Sequence, residues 1–136
     1  MFTLWVPGKP QPQGSKKGFI INNKVVLVES SKGLKPWREK IRTIAQHSAE
    51  LQKFDGAVHV TMSFYFKKPA SNKKPSHTQK PDVDKLIRGV MDSLTNVCFN
   101  DDSQVTSITA YKFWAKQEME GVNISVWPVD EDGLSA

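Results

Sequence analysis

Val58-His59-Val60-Thr61-Met62-Ser63-Phe64-Tyr65-Phe66 sets an apolar residue at every second position, with His59, Thr61, Ser63 and Tyr65 between. A period of two is the signature of a strand with one face on a core. Downstream, Lys67 to Lys80 holds five lysines, no acid and no large apolar residue. That composition predicts a mobile basic loop. Pro81 to Leu94 then changes period. Val83, Leu86, Ile87, Val90, Met91 and Leu94 recur at helical spacing along one side, which predicts a helix with a buried stripe.

Upstream, a second stripe of Trp37, Ile41, Ile44, Ala45, Ser48 and Leu51 predicts a helix of roughly four turns, with Pro36 in its first turn. Phe2, Leu4 and Val6 alternate in an opening strand. The segment 7–17 has three prolines and two glycines and must be an extended loop. Phe19 to Ile21 and Val25 to Val28 flank Asn22-Asn23-Lys24. Asparagine accepts the left-handed backbone of a tight turn, so a hairpin is expected there. Beyond a turn at 96–102, Val105 to Trp114 and the alternating Val122, Ile124 and Val126 supply two more strands. The order is β, β-hairpin, α, β, α, β, β. We expect one α+β domain over residues 1–136, a single mixed β-sheet with two main helices packed on it, and a frayed acidic tail at 129–136.

The chain is 136 residues long and has one cysteine, Cys98, so it holds no internal disulfide and offers no cysteine cluster for zinc. Cys98 is expected to be a packing residue, and His47, His59 and His77 to be bystanders, with His59 facing solvent or a partner. The longest apolar runs are a few residues, too short for a membrane span. The N-terminus lacks the basic start and apolar stretch of a signal peptide, so a cytoplasmic location is expected. Net charge is +5, unevenly spread. Residues 1–90 carry 17 Lys and Arg against 6 Asp and Glu, and residues 91–136 carry 2 against 8. A basic N-terminal two thirds points to an anionic partner, of which nucleic acid is the commonest.

Lys80-Pro81-Asp82-Val83-Asp84-Lys85-Leu86-Ile87-Arg88 is the stretch richest in chemistry. Residues two apart on a helix diverge by about 200°. Asp82 and Asp84 can therefore converge only if Asp82 precedes the regular helix. A structural account is available for every carboxylate here. Asp82 caps the helix, Asp84, Arg88 and Asp92 form a ladder at intervals of four, and Asp101-Asp102 make a polar turn. A catalytic account is also available. Carboxylates repel phosphates, so acids amid lysines make sense if a divalent cation inverts the local charge. Asp82, Asp84 and Asp102 would give Mg²⁺ the oxygen ligands it needs.

The runs Asp82-Val83-Asp84-Lys85-Leu86-Ile87-Arg88, Asp92-Ser93-Leu94 and Asn100-Asp101-Asp102-Ser103-Gln104-Val105 together resemble the RusA family of Holliday junction resolvases. That family's core reads D-x-D-N-L-x-K, then D-A-L, then D-D-x-Q-V at matching distance. The opening Pro7-Gly8-Lys9-Pro10-Gln11-Pro12-Gln13-Gly14 is similar more weakly. The resemblance implies a mixed α/β fold, a homodimer and Mg²⁺-dependent paired nicking of four-way DNA junctions, with Mn²⁺ an alternative metal. It assigns Asp82, Asp84 and Asp102 as catalytic carboxylates and metal ligands. Arg88 stands at the family's functional lysine, and Lys85 where the family usually has asparagine. Lys9, Lys16, Lys17, Lys67, Lys68, Lys73, Lys74, Lys80 and Lys85 are the expected DNA-binding cations. Two rival readings are a non-catalytic nucleic-acid binding protein and a nuclease for forks or flaps.

Overall fold

The computed structural model describes residues 1–14, 17–28, 32–117 and 119–130. The side chains of Lys17 and Val28 are outside that description, as is Lys16. The elements run β1 (Phe2–Pro7), β2 (Lys17–Ile21), β3 (Lys24–Val28), α1 (Leu34–His47), β4 (Val58–Phe66), α2 (Val83–Leu94), a 3-10 turn (Asp102–Gln104), β5 (Val105–Trp114) and β6 (Gly121–Pro128). The expected α+β class and both helices are present.

Four strands form the main sheet in the order β1-β6-β4-β5. β6 is antiparallel to both β1 and β4, whereas β4 and β5 run parallel. A parallel pair needs a crossover, and α2 supplies it. Register carries the alternation across the sheet, as Leu4 pairs with Ile124 and Ile124 with Met62. That face is sealed by Trp37, Ile41 and Ala45 of α1 and by Leu86, Val90 and Leu94 of α2. Among the described residues no helix covers the opposite face. It carries Trp5, Tyr65, Phe113 and Tyr111 in a row of ring contacts across three strands. Gly121 is required beneath Trp5, because a Cβ there would lie 2.5 Å from both the indole and the Val6 carbonyl.

Four expectations need correction. The hairpin does not join the main sheet: among the described residues β2 and β3 pair only with each other, in a separate two-stranded sheet. Its turn is as expected, since Asn22 and Asn23 both have positive φ, 51° and 61°. Second, α1 stops at His47. Ser48 turns extended at φ −71°, ψ 129°, and Leu51 reaches the core from the following segment. Third, Val129 is not frayed, for its amide donates to the Ala57 carbonyl at 2.9 Å. Residues 131–136 lie outside the described residues.

Fourth, the 67–80 loop is anchored. His77 is only 7% exposed. Its ring stacks on Trp114 with centroids 4.0 Å apart and meets the edge of Phe66 at 4.7 Å. Asn72 donates to Gln79 and accepts from the Lys74 amide. Composition misses this because one aromatic ring does the anchoring. Burial, and next the charge of Lys112, hold His77 below its ordinary value of 6.5. The neutral ring is therefore the native form. The anchor is fully present above the unfolded value and weakens as pH falls through the lower folded one. Amide exchange across Ser71–Gln79, corrected for intrinsic rates, should speed up between about pH 7 and pH 5. His77→Phe should remove that dependence.

Candidate active site

The first turn of α2 decides how Asp82 is used. Asp82 is the N-cap residue, with extended backbone at φ −72°, ψ 142°, and its carbonyl accepts from the Leu86 amide at 3.2 Å. Its side chain makes no capping bond. The structural account of Asp82 therefore fails. Its carboxylate is spared for the surroundings, a hollow of about 660 Å³ lined by Lys9, Lys32, Lys80, Lys85 and the 10–14 segment. The preceding Lys80–Pro81 peptide is cis. Lys112 of β5 donates to the carbonyls of Gln79 and Pro81 at 2.7 and 2.9 Å, which fixes the chain just before Asp82. Burial lowers the Lys112 pKa, and the Asp82 charge opposes that shift.

Asp84 follows in the first helical turn, with 61% of its side chain exposed. Lys85 Nζ lies 3.3 Å from its Oδ2. That hydrogen bond is the main cause holding Asp84 below the ordinary carboxylate range, with smaller help from the charges of Lys85 and Arg88. Lys85 thus pairs with Asp84 and lines the hollow of Asp82. Arg88 is one turn on, at the edge of a second hollow of about 380 Å³. Asp102, Asp92, Gln13, Ile87 and Ile108 share that hollow. Asp82, Asp84, Lys85 and Arg88 thus stand on the first turns of α2, and Asp102 reaches the hollow beside Arg88 from the 3-10 turn.

The two remaining acids have structural work. The expected Asp84–Arg88–Asp92 ladder is incomplete, because Asp92 is held from α1 by Arg38 at 3.7 Å and by the Gln13 amide. Asp101 caps the 3-10 turn by accepting from the Ser103 amide at 2.8 Å. That bond, then the Ser103 hydroxyl and the Asp102 side chain, lower its pKa. Asp102 lies just inside the turn, exposed.

Two glutamines escaped the sequence reading as site-building residues. Gln13 donates its main-chain N–H to the Lys85 carbonyl at 2.9 Å and accepts from Arg38 at 3.1 Å. It ties the proline-rich 7–14 loop along α2, between the two hollows. Gln104 makes four bonds. Its Oε1 accepts from the amides of Asn100 and Asp101, and its Nε2 donates to the carbonyls of Phe54 and Gly56, each bond 2.7–3.0 Å. The position was visible in the D-D-x-Q-V run, but spacing gives no hint of these partners. Gln104→Ala should cost about 2–3 kcal/mol, at roughly 0.5–1.5 per bond with part recovered by water. Urea denaturation should show it, with faster amide exchange confined first to Asn100–Ser103.

The expected DNA-binding lysines divide by place. Lys9, Lys80 and Lys85 surround Asp82, joined by the unforeseen Lys32. Lys73 and Lys74 line a separate hollow within the 67–80 loop. Lys67 lies beside Gly8 and Glu120, and its amide donates to the Glu120 carboxylate at 2.9 Å. Cys98 is a packing residue, fully buried, with its thiol pushed up to about 12 by burial. His59 lies half-buried on the open sheet face against Trp127, in hydrogen bonds with Ser107 and Thr61. Among the described residues no helix is long and apolar enough to cross a membrane.

The donor set suits a hard divalent cation, since all three aspartates offer carboxylate oxygen and Asp82 is uncommitted to a cap. Among the described residues, however, no three His, Cys, Asp or Glu side chains gather as a ready-made metal cage. Mg²⁺ does not require one. It is commonly held by one or two carboxylates, with water and phosphate completing the shell.

A helix-backed mixed sheet that sets Asp82 in a lysine-lined hollow suits an enzyme acting on a polyanion. The comparison with known families agrees. Residues 7–126 match the family model of endodeoxyribonuclease RusA. The chain belongs to the RusA family, the Holliday junction resolving endodeoxyribonucleases, which are divalent-metal-dependent hydrolases of branched DNA. It is also 30% identical over 128 residues to the uncharacterized protein YqaN of Bacillus subtilis (strain 168), covering 85% of this chain and 88% of that one.

Proposed function

We propose that this chain resolves four-way DNA junctions by paired, Mg²⁺-dependent phosphodiester hydrolysis in recombination and repair, acting as a homodimer. The observation that carries the reading is the Asp82 carboxylate, which makes no cap bond and lines a hollow ringed by Lys9, Lys32, Lys80 and Lys85. Asp82, Asp84 and Asp102 would hold the metal. When bound, a divalent cation acidifies a water and places positive charge beside the scissile phosphate. The chain's own groups do the rest. The lysines around Asp82 seat the flanking backbone without regard to sequence. Lys85 holds the Asp84 carboxyl below the ordinary carboxylate range, which favours its charged form. Arg88 lies between Asp84 and the Asp102 hollow, where its guanidinium can meet a phosphate oxygen or steady the two carboxylates. Paired nicks fit a C2 dimer, because the junction itself has approximate twofold symmetry.

The test compares cleavage of a synthetic junction, a fork, a flap and plain duplex in Mg²⁺, in Mn²⁺ and in EDTA. Junction cleavage should dominate and vanish in EDTA. Equal cutting of plain duplex, or a preference for forks or flaps, would overturn the junction assignment. No cleavage of any substrate would leave a binding protein. Binding should also fall steeply with salt. Lys9→Ala with Lys80→Ala should flatten the slope of log K against log[salt] by about 2, at roughly 0.9 for each phosphate no longer neutralised.

A further inference from the structure

Lys112 is a cation on the core-facing side of its strand. The parallel register sets Ala110, Lys112 and Trp114 of β5 beside Met62, Phe64 and Phe66 of β4. Those three β4 side chains and Trp114 are buried in the core. Tyr111 and Phe113 alternate with them toward the open face, 48% and 41% exposed. Lys112 therefore starts from the helix-covered face, and it is half-buried. A cation taken out of water is costly unless hydrogen bonds satisfy it. Two do so here, to the Gln79 carbonyl at 2.7 Å and the Pro81 carbonyl at 2.9 Å.

We propose that Lys112 is a positioning residue for DNA cleavage: by holding the Gln79 and Pro81 carbonyls it fixes the peptide that precedes Asp82 and so aims the Asp82 carboxylate. The Pro81 carbonyl and the Asp82 amide belong to one planar unit. A charged donor makes the stronger kind of hydrogen bond. Pinning that oxygen sets the plane from which the Asp82 Cα departs. On its other side, the Asp82 carbonyl accepts from the Leu86 amide at 3.2 Å. The Asp82 backbone is thus held from both sides, by β5 and by α2. Its side chain makes no capping bond, so the direction of the carboxylate into the lysine-lined hollow follows from that backbone. Misplacing a reacting group by about 1 Å can cost on the order of 100-fold in rate.

Two plainer roles exist for an inward lysine. On an edge strand it can deter edge-to-edge pairing, and β5 ends the main sheet. That role calls for no partner, whereas both bonds of Lys112 converge on the three residues ahead of Asp82. An inward lysine can also moor a loop. The 67–80 loop already has His77 against Phe66 and Trp114 as its anchor, and mooring alone would not single out the last peptide before Asp82. The Asp82 charge is also felt at Lys112, where it opposes the effect of burial. The role rests on the reading of Asp82 as a metal ligand for junction cleavage, and it asks nothing of Lys112 toward DNA.

The test compares wild type, Lys112→Met, His77→Ala and Asp82→Asn as full-length chains. In single-turnover cleavage of a synthetic junction, Lys112→Met should lower the saturated rate roughly 10–100-fold, the usual cost of losing an outer partner of a metal ligand. Its half-saturating Mg²⁺ concentration should rise at least about fivefold. Junction binding in EDTA should stay within about twofold, because the lysines that seat phosphates are others. Without DNA or metal, exchange at the Leu86 amide should quicken at least about tenfold, with the amides of β4 and β6 unchanged. Lys112→Cys should behave like Lys112→Met, and alkylation with 2-bromoethylamine, which rebuilds an ammonium at lysine's reach, should restore most of the rate. Cys98 is spared by that reagent, being fully buried with its thiol pushed up to about 12. His77→Ala loosens the loop and leaves Lys112 in place, so its saturated rate should stay within about threefold of wild type. A Lys112→Met chain that cuts at the wild-type rate, or loses rate and binding in equal proportion, overturns the proposal. So does an equal loss of rate in His77→Ala, which gives the effect to the loop. If Asp82→Asn is inactive while Lys112→Met cuts normally, the proposed function stands and only the positioning role falls. If Asp82→Asn cuts normally, the reading of the site falls and the positioning role falls with it. If wild type cuts no junction, the proposed function falls, and exchange at Leu86 still decides whether Lys112 holds Asp82.

Discussion

Asp82→Asn is expected to abolish junction cleavage and leave junction binding as tight as in wild type, or tighter. The substitution separates chemistry from structure unusually well. Asparagine is as good an N-cap residue as aspartate, and the native Asp82 side chain makes no cap bond to lose. Stability should therefore stay within about 0.5 kcal/mol, as for surface changes that touch no special feature. The hollow around Asp82 is lined by four lysines. Removing the one negative charge among them can only favour a phosphate. Cleavage should still fall by more than about 100-fold, since altering even an outer partner of a metal ligand commonly costs roughly 10–100-fold. Single-turnover cleavage in Mg²⁺, with binding measured in EDTA, separates the two effects. A variant that cuts at the wild-type rate would show that Asp82 is a bystander and would remove the basis of the proposed function. Asp101→Asn is the contrasting control. Asp101 is occupied by the Ser103 amide, so its loss should appear first as stability.

The contrast between Asp82 and Asp101 shows what a sequence can and cannot convey here. Both stand where capping acids belong. Only Asp101 caps, because its turn brings the Ser103 amide to it. Asp82 instead faces lysines from positions 9, 32, 80 and 85, which no local pattern brings together. Asp92 teaches the same lesson. Helical spacing offered it Arg88, but the packing of α1 on α2 gave it Arg38. The fold was legible wherever burial is one-sided. β4 alternates because helices cover one face only, and all five of its inward residues are buried. Strand order was not legible. The same alternation serves parallel and antiparallel pairs, so the β4–β5 pairing and the separation of the hairpin from the main sheet depend on contacts far apart in sequence.

Phe99→Ala is expected to be the most damaging single change to the fold, and to disturb the site through Asp102. Phe99 is fully buried in the turn between α2 and β5. It forms isolated bridges with Phe54 and Thr95, and its carbonyl accepts from the Asn96 amide at 2.7 Å. Next to it, the Cys98 carbonyl accepts from the Phe54 amide at 2.8 Å. The main chain at Cys98 and Phe99 therefore ties the turn to the 54–56 stretch that Gln104 also grips, and the Phe99 side chain is buried in the core. Truncation leaves a cavity, and its lining cannot collapse without breaking those main-chain bonds. A loss of about 3–5 kcal/mol follows for a buried phenylalanine. For a domain of this size that lowers the melting temperature by roughly 10–20 °C. The surviving folded fraction should also cleave poorly, since Asp102 lies three residues beyond Phe99 and loses the footing of its turn. Junction binding should decline far less, because Lys9, Lys80 and Lys85 line the hollow of Asp82 and do not stand on that turn. If binding and cleavage fell in the same proportion, the Asp102 turn would have no part in the chemistry separate from the fold, and the assignment of Asp102 would fail while that of Asp82 stood.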